Sequence, residues 1–152
     1  MTVGFIMLCH TALDRAAQVA RFWADAGCPI VIHIDRRVKA AQYDGLVAAL
    51  ADIDSVSFSR RYVCEWGAFS LVAATQAAAE QMLERHSEVR HVYLSSGACL
   101  PLRPAQELID YLDARPSTDF IESVTTADVG WTIGGLDAER FTLRFPFSWR
   151  RQ

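Results

Sequence analysis

Three short stretches bring together side chains that could hold a polar ligand: "LCH" at residues 8–10, "HIDRR" at 33–37 and "LSSGACLPLRP" at 94–104. Each closes a run of apolar residues. Asp35 stands on the same side of its strand as His33, and a carboxylate there can accept from a ribose hydroxyl or a base N–H. A solvated turn aspartate beside two arginines is the other reading. Arg36 and Arg37 offer planar, paired donors that match phosphate oxygens, although exposed charge is the default for arginine. From Ser95 to Cys99 nothing bulky intervenes, so either a tight turn needs small residues or a ligand lies close to the backbone. Ser96 could meet a sugar or phosphate oxygen. It lies outside a G-x-S-x-G turn and has no His and Asp companions, which removes the nucleophile reading.

Other candidates are weaker. Asp52-Ile53-Asp54 has the DxD form of a metal motif, but it precedes a strand, which places it on the edge opposite the ligand crevice; it reads as a loop. The turns after the first and fourth strands carry no GxGxxG or P-loop, so dinucleotide, ATP and methyltransferase readings find no support. Trp66, in "CEWGAFS", reads as a packing residue. Cys9 and Cys99 fall at the same edge and read as small buried thiols without activation.

The elements that must position these residues alternate in type. Val3 to Leu8 forms a first strand. Thr11 suits a helix N-cap with Asp14 in capping-box position, and Leu13, Ala16, Ala20 and Trp23 share one face of the helix that Gly27 ends. Ile30 to Ile34 is a second strand, and residues 38–50 form a helix with Tyr43, Leu46, Val47 and Leu50 inward. A short strand follows at Val56–Ser59, then a glycine turn and an alanine-rich helix up to residue 86. Val89 to Leu94 is a fourth strand, Pro104 starts a helix running to Leu112, and "DFIESV" (119–124) reads as a fifth strand. The pattern predicts an α/β fold: a mostly parallel, Rossmann-like sheet with helices on both faces. Ligands of such sheets bind beyond the carboxyl ends of the strands, the edge that collects His10, Asp35, Arg36, Arg37, Arg60, Arg61, Ser96 and Gly97.

The 152 residues fit one domain, with an α/β core over 1–124 and an irregular aromatic and basic segment over 125–152. In that segment Trp131, Phe145, Phe147 and Trp149 need cover from water. A composition that is 51% hydrophobic is that of a globular protein, and a net charge of −3 argues against a nucleic-acid surface. The opening "MTVGFIMLCH" is too short to span a bilayer and lacks signal-peptide flanks, so a buried strand and no transmembrane segment are expected. Four cysteines without CxxC spacing read as reduced thiols in a cytoplasmic protein.

Taken in order, "FIMLCH", "VIHIDRR", "CEWGAFSLVAA" and "VYLSSGACLPLRPAQELIDYL…DFIES" resemble the signature blocks of the core-2/I-branching N-acetylglucosaminyltransferases, whose family includes the peptide O-xylosyltransferases. The resemblance covers residues 3–124. It implies a GT-A-like fold and an inverting, metal-independent transfer of a GlcNAc- or xylose-type sugar from a UDP-sugar to a glycan or other hydroxyl acceptor, as in polysaccharide biosynthesis. By position it implies donor contacts at Leu8, Cys9, His10, Asp35, Arg36, Arg37 and Val63, with Ser96 and Gly97 as a floor under the sugar or diphosphate. Glu122 and Arg140 match acceptor-side positions. No cofactor is implied.

Cys99 stands where many members of that family carry an acidic residue. Displacement at an anomeric carbon needs a base for the acceptor proton and positive charge for the leaving diphosphate. The family carries both beyond the matched blocks, so this chain is expected to be the donor-binding half and to lack its catalytic base. The competing expectation is a non-catalytic α/β interaction domain, with residues 140–151 as a surface for self-association or for a missing second half.

Overall fold

A computed structural model describes residues 2–99, 101–121, 123–125 and 128. The chain divides into two units, Met1–Ser117 and Thr118–Gln152. The first contains β1 (Val3–Cys9), α1 (Leu13–Asp25), β2 (Ile30–Ile34), α2 (Ala40–Ala49), β3 (Val56–Phe58), α3 (Phe69–Arg85), β4 (His91–Ser96) and α4 (Ala105–Asp113).

The sheet has the order β3-β2-β1-β4, and all of its pairings are parallel. Alternation along the strands explains the two layers of helices. Val3, Phe5, Met7 and Cys9 of β1 join Ile30, Ile32 and Ile34 of β2 in a core with α1, α2 and α4. The intervening Ile6 and Val31 face Ala78 and Met82 of α3. Both faces of β1 and β2 are therefore covered, which is why both strands read as unbroken apolar runs. Within the first core, Phe5 stacks on Trp23 with ring centroids 4.1 Å apart.

The start of α1 departs from expectation. Its N-cap is Ala12, in the left-handed region at φ 48°, with no side-chain cap. The turn after β1 takes one residue more than the pattern allowed, so Thr11 stands before the cap and its hydroxyl is not used there. The end of α1 follows the expected chemistry. Gly27, at φ 82°, donates to Ala24 O at 2.8 Å, and the Cys28 amide donates to Trp23 O at 3.0 Å. Those two bonds make a Schellman motif.

β4 begins and ends two residues later than the expected Val89–Leu94, because Val89 is held in a turn by its bond to His86 O at 3.0 Å. Ser95 and Ser96 are strand residues as a result. The expected fifth strand is not formed by the described residues of 119–124: Asp119, Phe120, Ile121, Ser123 and Val124 carry no strand pairing. The aromatic residues 131, 145, 147 and 149 lie outside the described residues. No helix among the described residues is long and apolar enough to cross a membrane.

Asp52, the first acid of the DxD stretch, is held by Arg21 through two bonds of 2.8 and 2.9 Å. Both side chains are largely exposed, so solvent screens the pair and it adds little to stability. Asp52→Asn together with Asp54→Asn is therefore expected to leave nucleotide affinity unchanged in a titration with and without Mg²⁺. A magnesium-dependent loss would make the stretch a metal site after all.

Candidate functional site

The order β3-β2-β1-β4 reverses direction between β1 and β4, and crevices in open parallel sheets form at such points. Here the crevice is displaced by one strand. At the reversal itself the Gly97 amide donates to Leu8 O at 3.3 Å. A Cβ on Gly97 would stand 2.5 Å from Cys9 Sγ and 3.0 Å from Ala16 Cβ. The space cleared by the small residues is thus filled by a thiol and a methyl group, a packing reason for the glycine that the sequence did not reveal.

The opening lies instead at the carboxyl ends of β1 and β2. A cavity of about 260 Å³ is lined by Leu8, Cys9, His10, His33, Asp35, Arg37, Cys64, Trp66 and Leu71. Of the expected donor-contact residues it collects Leu8, Cys9, His10, Asp35 and Arg37. Arg36, Val63, Ser96 and Gly97 do not line it: Arg36 and Val63 neighbour lining residues in the chain, Ser96 is in register with Leu8, and Gly97 reaches Leu8 only through its amide. Ser96 Oγ accepts from the Ala98 amide at 3.2 Å, a local turn contact. Glu122 and Arg140 lie outside the described residues.

Asp35 organises the wall. It is 3% exposed, and its carboxylate accepts four N–H groups. Oδ1 takes the Arg37 amide at 2.7 Å and Arg37 Nε at 3.0 Å. Oδ2 takes an Arg37 Nη at 2.8 Å and the Cys64 amide at 3.1 Å. The same Arg37 nitrogen also donates to Cys64 O. The guanidinium and the amides hold the Asp35 carboxyl at about 2, against the opposing effect of burial. Arg37 is fixed by this fork, while its other Nη makes no hydrogen bond among the described residues. The Arg36 side chain is exposed and unengaged among the described residues.

The loop after β3 is tied to the end of β2 residue by residue. The Tyr62 amide donates to His33 Nε2 at 3.0 Å, the Arg36 amide to Tyr62 O at 2.9 Å, and the Cys64 amide to Asp35. Arg61 caps β2 from below, donating to Asp35 O and Val38 O at 2.9 and 2.8 Å and lying over the Tyr43 ring. Its charge is therefore structural. Arg60 lies over Tyr62.

Two expectations fail here. Trp66 is not a packing residue; it is 98% exposed at the mouth of the cavity, on a loop that Gly67 turns with φ 75°. Cys99 is exposed, whereas Cys9, Cys28 and Cys64 are buried, and all four are free thiols. Burial pushes the Cys9 thiol up to about 12, so it is inert as a nucleophile. The sequence also missed His33, Cys64 and Leu71 as lining residues. His33 shares its strand face with Leu8, its register partner, and that alternation was the available signal. Nothing local marks Cys64 or Leu71. A larger cavity, about 490 Å³, sits on the opposite face against Phe5, Trp23, Tyr93, Leu108 and Tyr111. It is mainly apolar, and the strand-end chemistry lies at the smaller one. Among the described residues no group of three His, Cys, Asp or Glu side chains could hold a metal ion.

Two buried groups make the fold acid-sensitive. Burial lowers the His33 pKa, with Arg61 reinforcing and Asp35 opposing. A histidine kept neutral in the fold takes up its proton first in the unfolded chain, so stability falls as pH drops below about 6.5. Asp35, depressed from 3.8 to about 2, adds stability that is present above its unfolded value and lost as pH falls towards 2. Arg37 is 60% exposed, so screening limits the Asp35 contribution to about 1–2 kcal/mol. Urea midpoints should fall in two stages, and Asp35→Asn should remove the more acidic one.

The parallel sheet, covered by helices on both faces and open at its carboxyl edge, defines an α/β class of fold. A family profile described as Core-2/I-Branching enzyme matches residues 3–139. The chain belongs to that family, with its GT-A-like α/β fold. Among curated proteins it is 30% identical over 135 residues to a 4-hydroxy-2-oxohexanoate aldolase of Mycobacterium tuberculosis (strain ATCC 25618 / H37Rv) and to one of Mycobacterium bovis (strain ATCC BAA-935 / AF2122/97). The 4-hydroxy-2-oxovalerate aldolase 2 of Mycobacterium marinum (strain ATCC BAA-535 / M) matches to the same degree. In each case 84% of this chain is aligned, and it spans 38% of the relative's length.

Proposed function

We propose that this chain forms the donor-binding part of an inverting glycosyltransferase that moves a sugar of GlcNAc or xylose type from a UDP-sugar to an acceptor hydroxyl. The observation that carries the reading is the forked Asp35–Arg37 pair at the carboxyl end of β2, in a chain of this family. A guanidinium already oriented by a buried carboxylate loses little freedom when it meets a diphosphate, and its unengaged Nη is the group to do so. Leu8, Cys9 and His10 supply the neighbouring wall; the exposed Arg36, Val63 and Ser96 extend the donor surface beside it, Gly97 being buried against Cys9 and Ala16, and Glu122 and Arg140 serve the acceptor. Neutralising the leaving diphosphate with arginine makes a metal unnecessary in this scheme.

Asp35, the one carboxylate lining the pocket among the described residues, cannot serve as the base. All its acceptor positions are taken, and a group held at about 2 is too weak to draw a proton from a hydroxyl. Donor binding is the activity this reading assigns to the described residues, in a cytoplasmic setting that keeps the thiols reduced. The aldolase names of the curated relatives are not carried over. The chain spans only 38% of those relatives' length, whereas the family profile matches residues 3–139. Calorimetry with UDP, in the presence of EDTA, tests the reading. Saturable binding supports it. No heat from folded protein, or binding that requires added metal, overturns it.

A further inference from the structure

His33 is the one deeply buried polar side chain of the pocket whose hydrogen bonding is incomplete. It is 1% exposed, and its ring lines the cavity beside Leu8. Nε2 lies 3.0 Å from the Tyr62 amide nitrogen. An amide can only donate, so Nε2 carries the lone pair. A neutral imidazole has a single ring proton, which this bond assigns to Nδ1. Asp35 and Arg61 are the charged groups nearest the ring, and burial keeps it neutral. Nδ1–H has no hydrogen-bond partner among the described residues, and His33 is one of the residues that line the cavity.

The surroundings restrict what can meet that donor. Leu8, Leu71 and the Cys9 and Cys64 thiols give the deep part of the cavity a largely apolar lining, suited to a flat ring. The charged, more exposed Arg37 lies further out, where phosphates belong. Asp35 has no acceptor position left for an incoming amino group. A group seated against His33 must therefore present an oxygen or another acceptor. A pyrimidine entering base-first meets the deepest wall with the edge farthest from its ribose, position 4. Uracil has a carbonyl at that position and cytosine an amino group.

We propose that His33 is the base-selecting residue of this site: its Nδ1–H donates to O4 of uracil and rejects the amino group of cytosine. The assignment rests on the UDP-sugar reading of the pocket, and it names a residue that reading does not use.

The test is calorimetry with UDP and CDP on the wild-type chain and two variants. His33→Gln keeps an acceptor for the Tyr62 amide but removes the donor at Nδ1. His33→Asn keeps a donor near Nδ1. Wild type should bind UDP about tenfold or more tighter than CDP. In His33→Gln the UDP affinity should fall to that of CDP, while His33→Asn retains the preference. Nitrogen-edited NMR of the wild-type imidazoles gives a readout that survives a misfolded variant: Nδ1 of His33 should be the protonated nitrogen, and its proton should move downfield with UDP. Equal affinity for the two nucleotides, an undiminished preference in folded His33→Gln, or an Nδ1 proton unmoved by UDP overturns the assignment and leaves the donor site standing. If wild type binds neither nucleotide, the donor reading itself falls, and the assignment with it.

Discussion

Asp35→Ala is expected to abolish measurable UDP binding and to destabilise the fold by about 2–3 kcal/mol. The stability loss comes from several N–H groups that share one acceptor. The Cys64 amide is buried, and without the carboxylate it has no replacement partner. The Arg37 guanidinium loses its fork, but it is largely exposed and recovers hydration, so it adds less. Thermal unfolding should fall by about 5–10 °C for a chain of this size. The binding loss has a separate cause. Arg37 would remain charged but unrestrained, and the loop carrying Cys64 and Trp66 would be untied from β2. Asp35→Asn separates the two effects: it preserves volume and some bonding, so stability should recover more than affinity does. A folded Asp35→Ala protein with unchanged UDP affinity would show that the fork is not part of the site.

Gly97→Ala is expected to cost about 2–3 kcal/mol, an overpacking penalty at the upper end for one added methyl group. The new Cβ would fall 2.5 Å from Cys9 Sγ and 3.0 Å from Ala16 Cβ, and both neighbours are held in the core. The backbone at Gly97 is tied to Leu8 O, so relief by moving away breaks the extension of the β1–β4 pairing. Cys9→Ala removes the nearer obstacle. The double variant should be more stable than the sum of the single effects by about 1 kcal/mol, measured by urea unfolding. Strict additivity would mean that Gly97 and Cys9 do not compete for the same space. UDP affinity of the folded Gly97→Ala protein should also fall, because Cys9, which already lines the cavity, would be displaced and change its shape.

What could be read from the sequence follows from how locally each feature is determined. β1 and β2 are buried on both faces, so "VGFIMLC" and "IVIHI" announce themselves. α1 has one apolar stripe and a glycine stop. The bounds of β4 were shifted because serine carries no strand signal and Val89 carries a false one; its turn is set by a bond back to His86. The strand-end rule located His10, Asp35 and Arg37. It could not separate Arg36 from Arg37, since strand alternation stops at Ile34 and only the fork to Asp35 decides which arginine turns inward. Cys64 and Leu71 enter the wall through a loop docked across the sheet, a relation without local signature. Trp66 was misjudged for the opposite reason: a large aromatic residue is buried by default, and only its place on the loop turned by Gly67 leaves it in water. Ser96 and Gly97 read as space for a ligand, whereas the space at Gly97 is filled by the protein.

Chemical-shift mapping of the backbone amides during a UDP titration is the most direct measurement of whether a nucleotide enters this pocket. Shifts concentrated at residues 8–10, 33–37 and 62–71 would place it against β1, β2 and the Asp35–Arg37 fork. Shifts centred instead on Phe5, Trp23, Tyr93 and Tyr111 around the larger cavity, or none at saturating UDP, would contradict the account.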